Sequence, residues 1–392
     1  MRRVDNGNGQ IAGVRQRNLA RVLRLVHVEG PLSRAALTEA TGLNRSTIAD
    51  LVGELAGLGL IEERAPDPAR RVGRPSPIVA ARPDVLALAV NPEVDAVTIA
   101  AVGLDRSIPV RERIDMDHLV TAEETVEIIA THLASWRAGV LSHARVVAIG
   151  IAVPGLVRAS DGLVRITPHL GWVDAPLRDE VAAATRLPVA VDNDASLGVV
   201  AEHLFGAARD VDDVVYLNGG ASGIGGGLIV HGMPVTGAGG YAGEFGQNRI
   251  AAGADARADG DVLEDEVSRA RLLEAVGLAA ADEPTLAAVL AESTRPEVAA
   301  EVARQRRILA TALANAVNVL DPAVVVLGGF LATIAEADIP ALEEAVRAQA
   351  MPANGEDFAI RTAVLAEDRL LIGAAEAAFA DLLRDPLALR SG

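Results

Sequence analysis

Residues 189–230 have the sequence VAVDNDASLGVVAEHLFGAARDVDDVVYLNGGASGIGGGLIV, and this stretch indicates the fold class. A short apolar run at 189–191 is followed by polar residues and then by a segment with the pattern of a helix. A second apolar run, 214–217, leads into a glycine cluster at 219–227 and a third run at 228–230. Because short apolar strands alternate with a helix, the stretch is typical of an α/β protein.

The same alternation continues through the rest of the chain after about residue 85. Further strands are predicted at 85–90, 97–102, 146–153 and 324–327. Helices are predicted at 123–136, 179–185, 304–320 and 371–383. A chain of 392 residues exceeds one ordinary core, so two or three domains are expected.

Composition excludes several classes of protein. The sequence contains no cysteine, which rules out disulfides, thiolate nucleophiles and cysteine-ligated metals. No apolar run approaches the ~18 residues that a membrane span needs, and the first residues are polar, unlike a secretory leader. We therefore expect a cytoplasmic protein that does not contact membranes.

Charge is divided unevenly along the chain. The formal net charge is −17, yet residues 1–82 carry 13 Arg and 8 acidic residues, a balance of +5. The remaining residues carry a balance of −22. A basic N-terminal unit on an acidic body is expected where only one end of a protein faces nucleic-acid phosphates.

The N-terminal unit is predicted to begin with three helices. Apolar residues at helical spacing predict the first at 16–28. Ser33 is a suitable N-cap for a second helix at 34–41, and Asn44 is a suitable N-cap for a third. Gly42 lies in the short turn between these two helices, and two short helices joined by such a turn form a helix-turn-helix.

The start of the third helix carries the predicted DNA-reading residues. In a helix-turn-helix the first residues of the second helix of the pair enter the major groove. Polar residues at those positions are Asn44, Arg45, Ser46, Thr47 and Asp50. Their side chains have groups that hydrogen-bond to base edges and phosphates, and Arg34 is placed for a phosphate. Double-stranded DNA is therefore an expected partner.

A wing is predicted after the third helix. Short strands at 60–63 and 77–80 flank an arginine-rich loop. Its candidate DNA contacts are Arg70, Arg71, Gly73 and Arg74. The Gly-Arg-Pro core resembles the minor-groove arm of AT-hook peptides, in which an extended backbone lets arginine lie deep in a narrow groove. The alternative is that these arginines only keep an exposed loop soluble.

Several motifs together resemble the ROK family of repressors and sugar kinases. In chain order they are TGL at 41–43, GRP at 73–75, IAVPG at 151–155, DNDA at 192–195 and GGYAGEFG at 239–246. The resemblance covers residues 15–385 and implies an actin-like (sugar-kinase) fold of two α/β lobes with a sugar cleft between them. It also implies a homodimer or homotetramer.

The expected domain organisation follows from this resemblance. A winged helix-turn-helix occupies residues 1–82. Lobe I occupies residues 83–199 and is joined by a C-terminal helix at 370–388. Lobe II occupies residues 200–369.

The resemblance also implies a sugar site. In the kinases of the family, the residues that match Asn193 and Asp194 hold a sugar hydroxyl and supply the general base. Carboxylates and an amide suit the donors and acceptors of vicinal hydroxyls. The expected effector-binding residues are Gly155, His169, Asn193, Asp194, Glu244, Gln247 and Glu264. On spacing alone, Asn193 and Asp194 are instead typical of a turn with an Asx cap.

Three departures from the family pattern favour a sensor over an enzyme. Where the kinases have a glycine-rich loop around ATP phosphates, residues 91–95 are NPEVD, in which Pro92 lacks a backbone N–H and Glu93 adds a carboxylate. Gln247 replaces a zinc-binding histidine, and residues 251–262 contain no cysteine. His169 replaces an asparagine of the cleft. We therefore expect no catalytic residue, no metal and no cofactor.

The predicted function is repression of carbohydrate genes. A sugar bound between the lobes would change the spacing of two recognition helices on a pseudo-palindromic operator. One alternative is an ATP-dependent sugar kinase with an added DNA-binding module, which Asp194 and a second glycine cluster at 328–329 favour. The other alternative is a regulator whose C-terminal region senses a protein partner, or only dimerises.

Overall fold

The computed structural model describes residues 6–65, 76–249 and 262–390. The N-terminal unit consists of helices α1 (Asn6–Glu29), α2 (Arg34–Thr41) and α3 (Arg45–Gly57) and of strands β1 (Leu32–Ser33), β2 (Ile61–Arg64) and β3 (Ile78–Ala81). The strands form one antiparallel sheet in the order β1-β3-β2.

The predicted helix caps are present in the N-terminal unit. The backbone N–H of Ala36 donates to Ser33 Oγ at 3.0 Å, which fixes the start of α2. Gly42 ends this helix with a φ of 69°, a left-handed conformation that glycine adopts without strain. The bounds predicted for this helix, 34–41, are confirmed because both of its ends are set by local sequence.

The first lobe is built on a mixed sheet that follows the N-terminal unit. Its elements are β4 (Val85–Pro92), β5 (Ala96–Gly103), β6 (Val110–Asp115), α4 (Ala122–Ala138), β7 (Arg145–Val153), β8 (Leu156–Val157), β9 (Val164–Thr167), β10 (Trp172–Ala175), α5 (Leu177–Thr185) and β11 (Val189–Asn193). The sheet order is β11-β7-β4-β5-β6, and β8 to β10 form a small separate sheet. Helices α4 and α5 pack on one face of the large sheet.

The second lobe follows helix α6 (Asp194–Phe205). Its elements are β12 (Val214–Gly220), β13 (Gly223–Val230), β14 (Met233–Pro234), α7 (Leu263–Glu266), α8 (Arg269–Val276), α9 (Glu283–Glu292), α10 (Pro296–Leu320), β15 (Val324–Gly329), α11 (Phe330–Glu336), α12 (Ile339–Arg347) and β16 (Ala359–Thr362). The sheet order is β14-β13-β12-β15-β16. The chain then returns to the first lobe through α13 (Arg369–Arg384) and a short 3₁₀ turn, Pro386–Arg390.

The two large sheets have the same topology. In each, the first strand pairs antiparallel with the second and parallel with the fourth, and the fourth pairs parallel with the fifth. The second and third strands are also antiparallel in both. The α/β organisation with two similar lobes that the sequence predicted is therefore present.

Side-chain size along β4 determines which helices cover the first sheet. Leu86, Leu88 and Val90 face α4 and α5, whereas Ala87 and Ala89 face α13. The small alanines let α13 approach the sheet closely. One hydrophobic cluster extends from this face of the sheet through the interior of the N-terminal unit. The first lobe and the N-terminal unit therefore share a core.

Three predictions about local structure are corrected. The glycine cluster at 219–227 is mostly strand, because β12 and β13 pair along it and leave only Ala221 and Ser222 as the turn. Helix α10 begins at Pro296 rather than near 304, because proline is well tolerated in the first turn of a helix. The predicted boundary between residues 199 and 200 falls inside α6. None of the described helices is long and apolar enough to cross a membrane.

Candidate ligand cleft and nucleic-acid interface

A cleft between the two lobes brings the predicted effector residues together. All seven of them line it: Gly155, His169, Asn193, Asp194, Glu244, Gln247 and Glu264. They come from both lobes, since β11 and the small sheet lie on one side and β13 on the other. Glu93 and Asn218, which the sequence did not assign to this site, also line it.

Asn193 and Asp194 stand where β11 passes into α6. The N–H of Ser196 donates to Asn193 Oδ1 at 2.9 Å, and Asn193 Nδ2 donates to the Gly155 carbonyl at 3.0 Å. The N–H of Ala195 donates to Asp194 Oδ1 at 2.7 Å. Asn193 is therefore the N-cap of α6, as its spacing predicted, and these bonds fix both side chains at the cleft.

Two glycines of β13 allow α6 to pack close to the second sheet. A Cβ at Gly225 would lie 2.7 Å from the Cβ of Ala195, and one at Gly227 would lie 2.6 Å from Cγ1 of Val199. Larger residues would push the helix away and withdraw Asp194 from the cleft. Sequence reasoning noted the glycine cluster but missed its role in helix packing.

Glu264 is held in place by two donors. The backbone N–H of Ile224 donates to its Oε2 at 3.1 Å, and Gln247 Nε2 donates to its Oε1 at 2.5 Å. The residues at this position do not fit a zinc ion, because the Gln247 amide uses its nitrogen as a donor to a carboxylate. Within the described ranges, no cluster of three or more His, Cys, Asp or Glu residues could hold a metal.

The cleft is rich in carboxylates. Four line it: Glu93, Asp194, Glu244 and Glu264. Burial raises the pKa of Asp194 to about 7, and the charges of Glu93 and Glu244 act in the same direction. Burial also raises the pKa of Glu244, with a further contribution from Glu264. The cleft thus offers hydrogen-bond acceptors to hydroxyl groups and repels anions.

Glu93 lies just after the end of β4, in the segment NPEVD at 91–95 that is predicted from the sequence to replace a phosphate loop. Burial raises its pKa, and the neighbouring charges of Asp95 and Glu283 raise it further. A carboxylate here, with a second one nearby on Asp194, leaves the position unsuited to the oxygens of a polyphosphate.

Arg369 contacts the cleft residue Asn218, and sequence reasoning missed it. Its Nε donates to Asn218 Oδ1 at 2.8 Å, and its two terminal nitrogens donate to the Glu283 carboxylate at 2.8 and 3.2 Å. The side chain is buried although it lies at the start of α13. A single arginine before an apolar helical pattern carries no local sign that its partners lie more than 80 residues away.

The second candidate site is the exposed start of α3. Four of its five predicted residues, Asn44, Arg45, Ser46 and Asp50, are exposed, and Thr47 is half-buried. Asn44 Oδ1 accepts from the backbone of Thr47 and from Ser46 Oγ, both at 2.8 Å. The cap therefore occupies the Asn44 oxygen and leaves Arg45 as the cation of this surface.

Arg34 and the wing arginines complete the set of predicted DNA contacts. The guanidinium of Arg34 donates to both carboxylate oxygens of Glu63 on β2, at 2.5 and 2.6 Å. A phosphate at Arg34 would have to share the guanidinium with this carboxylate. The wing residues Arg70, Arg71, Gly73 and Arg74 lie outside the described residues.

Known proteins resemble the chain over nearly its whole length. A xylose repressor of Caldicellulosiruptor bescii is 24% identical over 414 residues, which cover 95% of this chain and 98% of the repressor. The crystal structure of a ROK family transcriptional regulator, described as a homolog of the E. coli MLC protein, has a TM-score of 0.75 at 25% identity and covers 96% of this chain and 98% of its own.

Sugar kinases share the fold of the two lobes. A glucokinase from Streptomyces griseus, solved with glucose and AMPPNP, has a TM-score of 0.63 at 23% identity over 75% of this chain and 99% of its own. The sequence model of the ROK family matches residues 88–380. The chain has a sugar-kinase-like α/β fold and belongs to the ROK family.

Proposed function

We propose that this chain is a DNA-binding repressor of carbohydrate genes that takes an uncharged sugar as its effector and has no kinase activity. One observation carries the proposal. A helical unit with an exposed polar surface shares its hydrophobic core with the first lobe. The cleft between the lobes has acceptors for hydroxyl groups, but it also has a carboxylate, Glu93, in the segment predicted to replace the kinase phosphate loop. A protein with such a cleft can sense a sugar without phosphorylating it.

The DNA-binding part of the proposal rests on the N-terminal unit. Its three helices and three-stranded sheet have the order of elements of a winged helix-turn-helix, and α3 exposes Arg45 at its first turn. The balance of +5 over residues 1–82 favours contact with phosphates, whereas the acidic body would be repelled. We place two protomers of a homodimer, or of a homotetramer, on the half-sites of a pseudo-palindromic operator.

The sugar part rests on the acceptors of the cleft. Asp194, Glu244 and Glu264 offer carboxylate oxygens, and Asn193 offers an amide hydrogen beyond the one given to Gly155. Neutral polyols match this lining, because anions would be repelled. The similar proteins include a xylose repressor and a glucose-bound kinase, so D-xylose and D-glucose are the first sugars to test.

DNA binding is tested by selecting operators from a random duplex library with the full-length chain. The enriched sequence is then titrated by fluorescence anisotropy. We expect a palindromic motif and a Kd that rises at least about fivefold in Arg45→Ala, the loss typical of one base-reading arginine. Arg165→Ala, on β9 of the first lobe, is the matched control and should bind as the wild type does. No enrichment, or equal losses in both variants, contradicts the proposal.

Effector binding is tested by thermal unfolding with D-xylose, D-glucose and N-acetyl-D-glucosamine. A sugar that binds the folded state raises the unfolding temperature. The same sugar should change the operator Kd of the wild type by roughly 5- to 150-fold. If no sugar alters stability while operator binding persists, the effector claim is wrong and a protein partner becomes the better hypothesis.

A sugar kinase is the second candidate, and Asp194 is the observation that favours it. A carboxylate with a pKa of about 7 can accept the proton of an attacking sugar hydroxyl near neutral pH. A coupled assay for ADP release, with ATP and each sugar, decides between the candidates. Turnover that disappears in Asp194→Ala would establish the kinase and refute the proposed repressor without activity.

A further inference from the structure

We propose that α13 couples the cleft to the N-terminal unit as one rigid element, with Arg369 as the positioning residue at its cleft end and the Glu376–His27 pair as its joint to α1. The meaning of this coupling for gene regulation rests on the proposed function. The mechanical coupling of α13 to α1 depends only on contacts within the chain and does not depend on that function.

The cleft end of α13 is fastened to the second lobe. Arg369, only 4% exposed, binds Asn218 of β12 and Glu283 at the start of α9, both of which belong to that lobe. The helix itself packs on β4, β5, β7 and β11 of the first lobe. Any relative motion of the lobes must therefore either break the Arg369 contacts or move α13.

The charge of Arg369 also acts on two carboxylates of the ligand cleft. It lowers the pKa of Glu93 and of Asp194, in opposition to the larger effect of burial on each. A ligand that binds these carboxylates changes the field at the first turn of α13. The cleft and the helix are thus electrostatically connected as well as in contact.

The middle of α13 has backbone-to-backbone contacts on two sides. A Cβ at Gly150 of β7 would lie 1.8 Å from the Ala374 carbonyl oxygen. A Cβ at Gly373 would lie 2.3 Å from the carbonyl oxygen of Leu197 in α6, the helix that begins at Asp194. Packing this close leaves no room for α13 to slide past either neighbour, so α13 and α6 move together.

Helix α13 also contacts α1, through the buried Glu376–His27 joint. His27 is 1% exposed, and its two ring nitrogens lie 2.8 Å from Glu376 Oε1 and 2.7 Å from the Leu104 carbonyl oxygen. The Leu104 carbonyl oxygen can only accept, so the ring nitrogen that faces it carries hydrogen. Burial lowers the pKa of His27, but the charge and hydrogen bond of Glu376 and the hydrogen bond to Leu104 outweigh burial and raise it. Glu376 is seven residues after Arg369, which places the joint about 10 Å along the helix from the cleft contact.

The joint is connected through α1 to α3, the helix predicted to read DNA. On α1, Arg21 donates to the carbonyl oxygens of Ala40 and Thr41 at the end of α2, each at 2.8 Å. The turn after Thr41 positions α3. A displacement of α13 is thereby passed through His27 to α1, and from α1 to the helix pair.

A double-mutant cycle tests the linkage without DNA or sugar. Glu283→Gln perturbs the cleft end, His27→Gln perturbs the joint, and Glu297→Gln, which is exposed and paired only with Arg295 among the described contacts, is the control. The measurement is hydrogen exchange of residues 14–29 in the full chain, with α4 as the internal reference on the opposite face of the sheet. We expect Glu283→Gln to speed exchange of α1 by at least about threefold, with no such change in α4 or in the control.

Non-additivity is the decisive result. In the His27→Gln background, the further change caused by Glu283→Gln should disappear, since the joint is already broken. An equal effect in both backgrounds, no effect on α1, or an equal effect on α4 overturns the proposal. A chain that binds neither operator nor sugar can pass this test, and a sugar-responsive repressor can fail it, so the two proposals are judged separately.

Discussion

Replacing Asp194 with asparagine should make the protein more stable at neutral and alkaline pH. Burial raises the pKa of this carboxyl from 3.8 to about 7, so the folded state binds its proton more tightly than the unfolded state does. Stability is therefore lost as pH rises from 3.8 to about 7, and the loss is complete above that range. Asparagine has no charge to bury and keeps an oxygen that can accept from the Ala195 N–H.

The size of the effect follows from the two pKa values. A difference between 3.8 and about 7 corresponds to about 4 kcal/mol of unfolding free energy at pH 8 and about 2 kcal/mol at pH 5. For a chain of 392 residues, about 4 kcal/mol raises the unfolding temperature by about 5 °C. The assay is scanning calorimetry of the wild type and Asp194→Asn from pH 5 to pH 8.

Asp210→Asn is the matched control, because its carboxylate is almost fully exposed and its removal should leave the unfolding temperature unchanged at every pH. The reasoning is refuted if Asp194→Asn is no more stable than the wild type at pH 8, or if the gain does not shrink toward pH 5. In the same variant, the affinity for D-xylose or D-glucose should fall. A substitution that raises stability and lowers binding is expected at a functional site.

Three further predictions concern stability and operator binding. Gly373→Ala should lower the free energy of unfolding in urea by about 1–3 kcal/mol, because the new Cβ would meet the Leu197 carbonyl oxygen. Gly53→Ala, whose new Cβ would meet no neighbouring atom within 4 Å, should raise that free energy by up to about 1 kcal/mol. Glu202→Gln should lower the unfolding free energy by about 1–3 kcal/mol, since the buried carboxylate accepts from three backbone N–H groups and an amide nitrogen cannot. Asn44→Asp should preserve the cap of α3, so the unfolding temperature should not change. Its added negative charge should weaken operator binding, measured by fluorescence anisotropy. Unchanged binding would show that this position lies away from the phosphates.

Local sequence was sufficient where a single residue determines a boundary. Ser33 and Gly42 fixed the ends of α2, and Asn44 fixed the start of α3. Apolar runs located β4 and β7, since strands buried on both faces are continuously apolar. The seven residues predicted to bind an effector line one cleft, and motifs rather than spacing were what grouped them in the sequence.

Prediction failed where the deciding contacts are distant in sequence. Strand β6 was missed because VRERID at 110–115 is an edge strand whose charged side chains are exposed, so it lacks an apolar run. The Arg369–Glu283 pair spans 86 residues and the His27–Glu376 pair spans 349. Nothing near either residue in the sequence records its partner, so the connection between the cleft and the N-terminal unit becomes visible only in three dimensions.

The shared core of the N-terminal unit and the first lobe bears on how regulators of this kind can be recombined. Leu23 and Val26 of α1 belong to the same hydrophobic cluster as Ala378 and Phe379 of α13. A chimera that takes its first 82 residues from one protein and its body from another would join two surfaces that were never fitted to each other. New specificities are therefore better built by exchanging the exposed residues of α3 within one scaffold, or by transplanting α13 together with α1, than by cutting the chain at the end of β3.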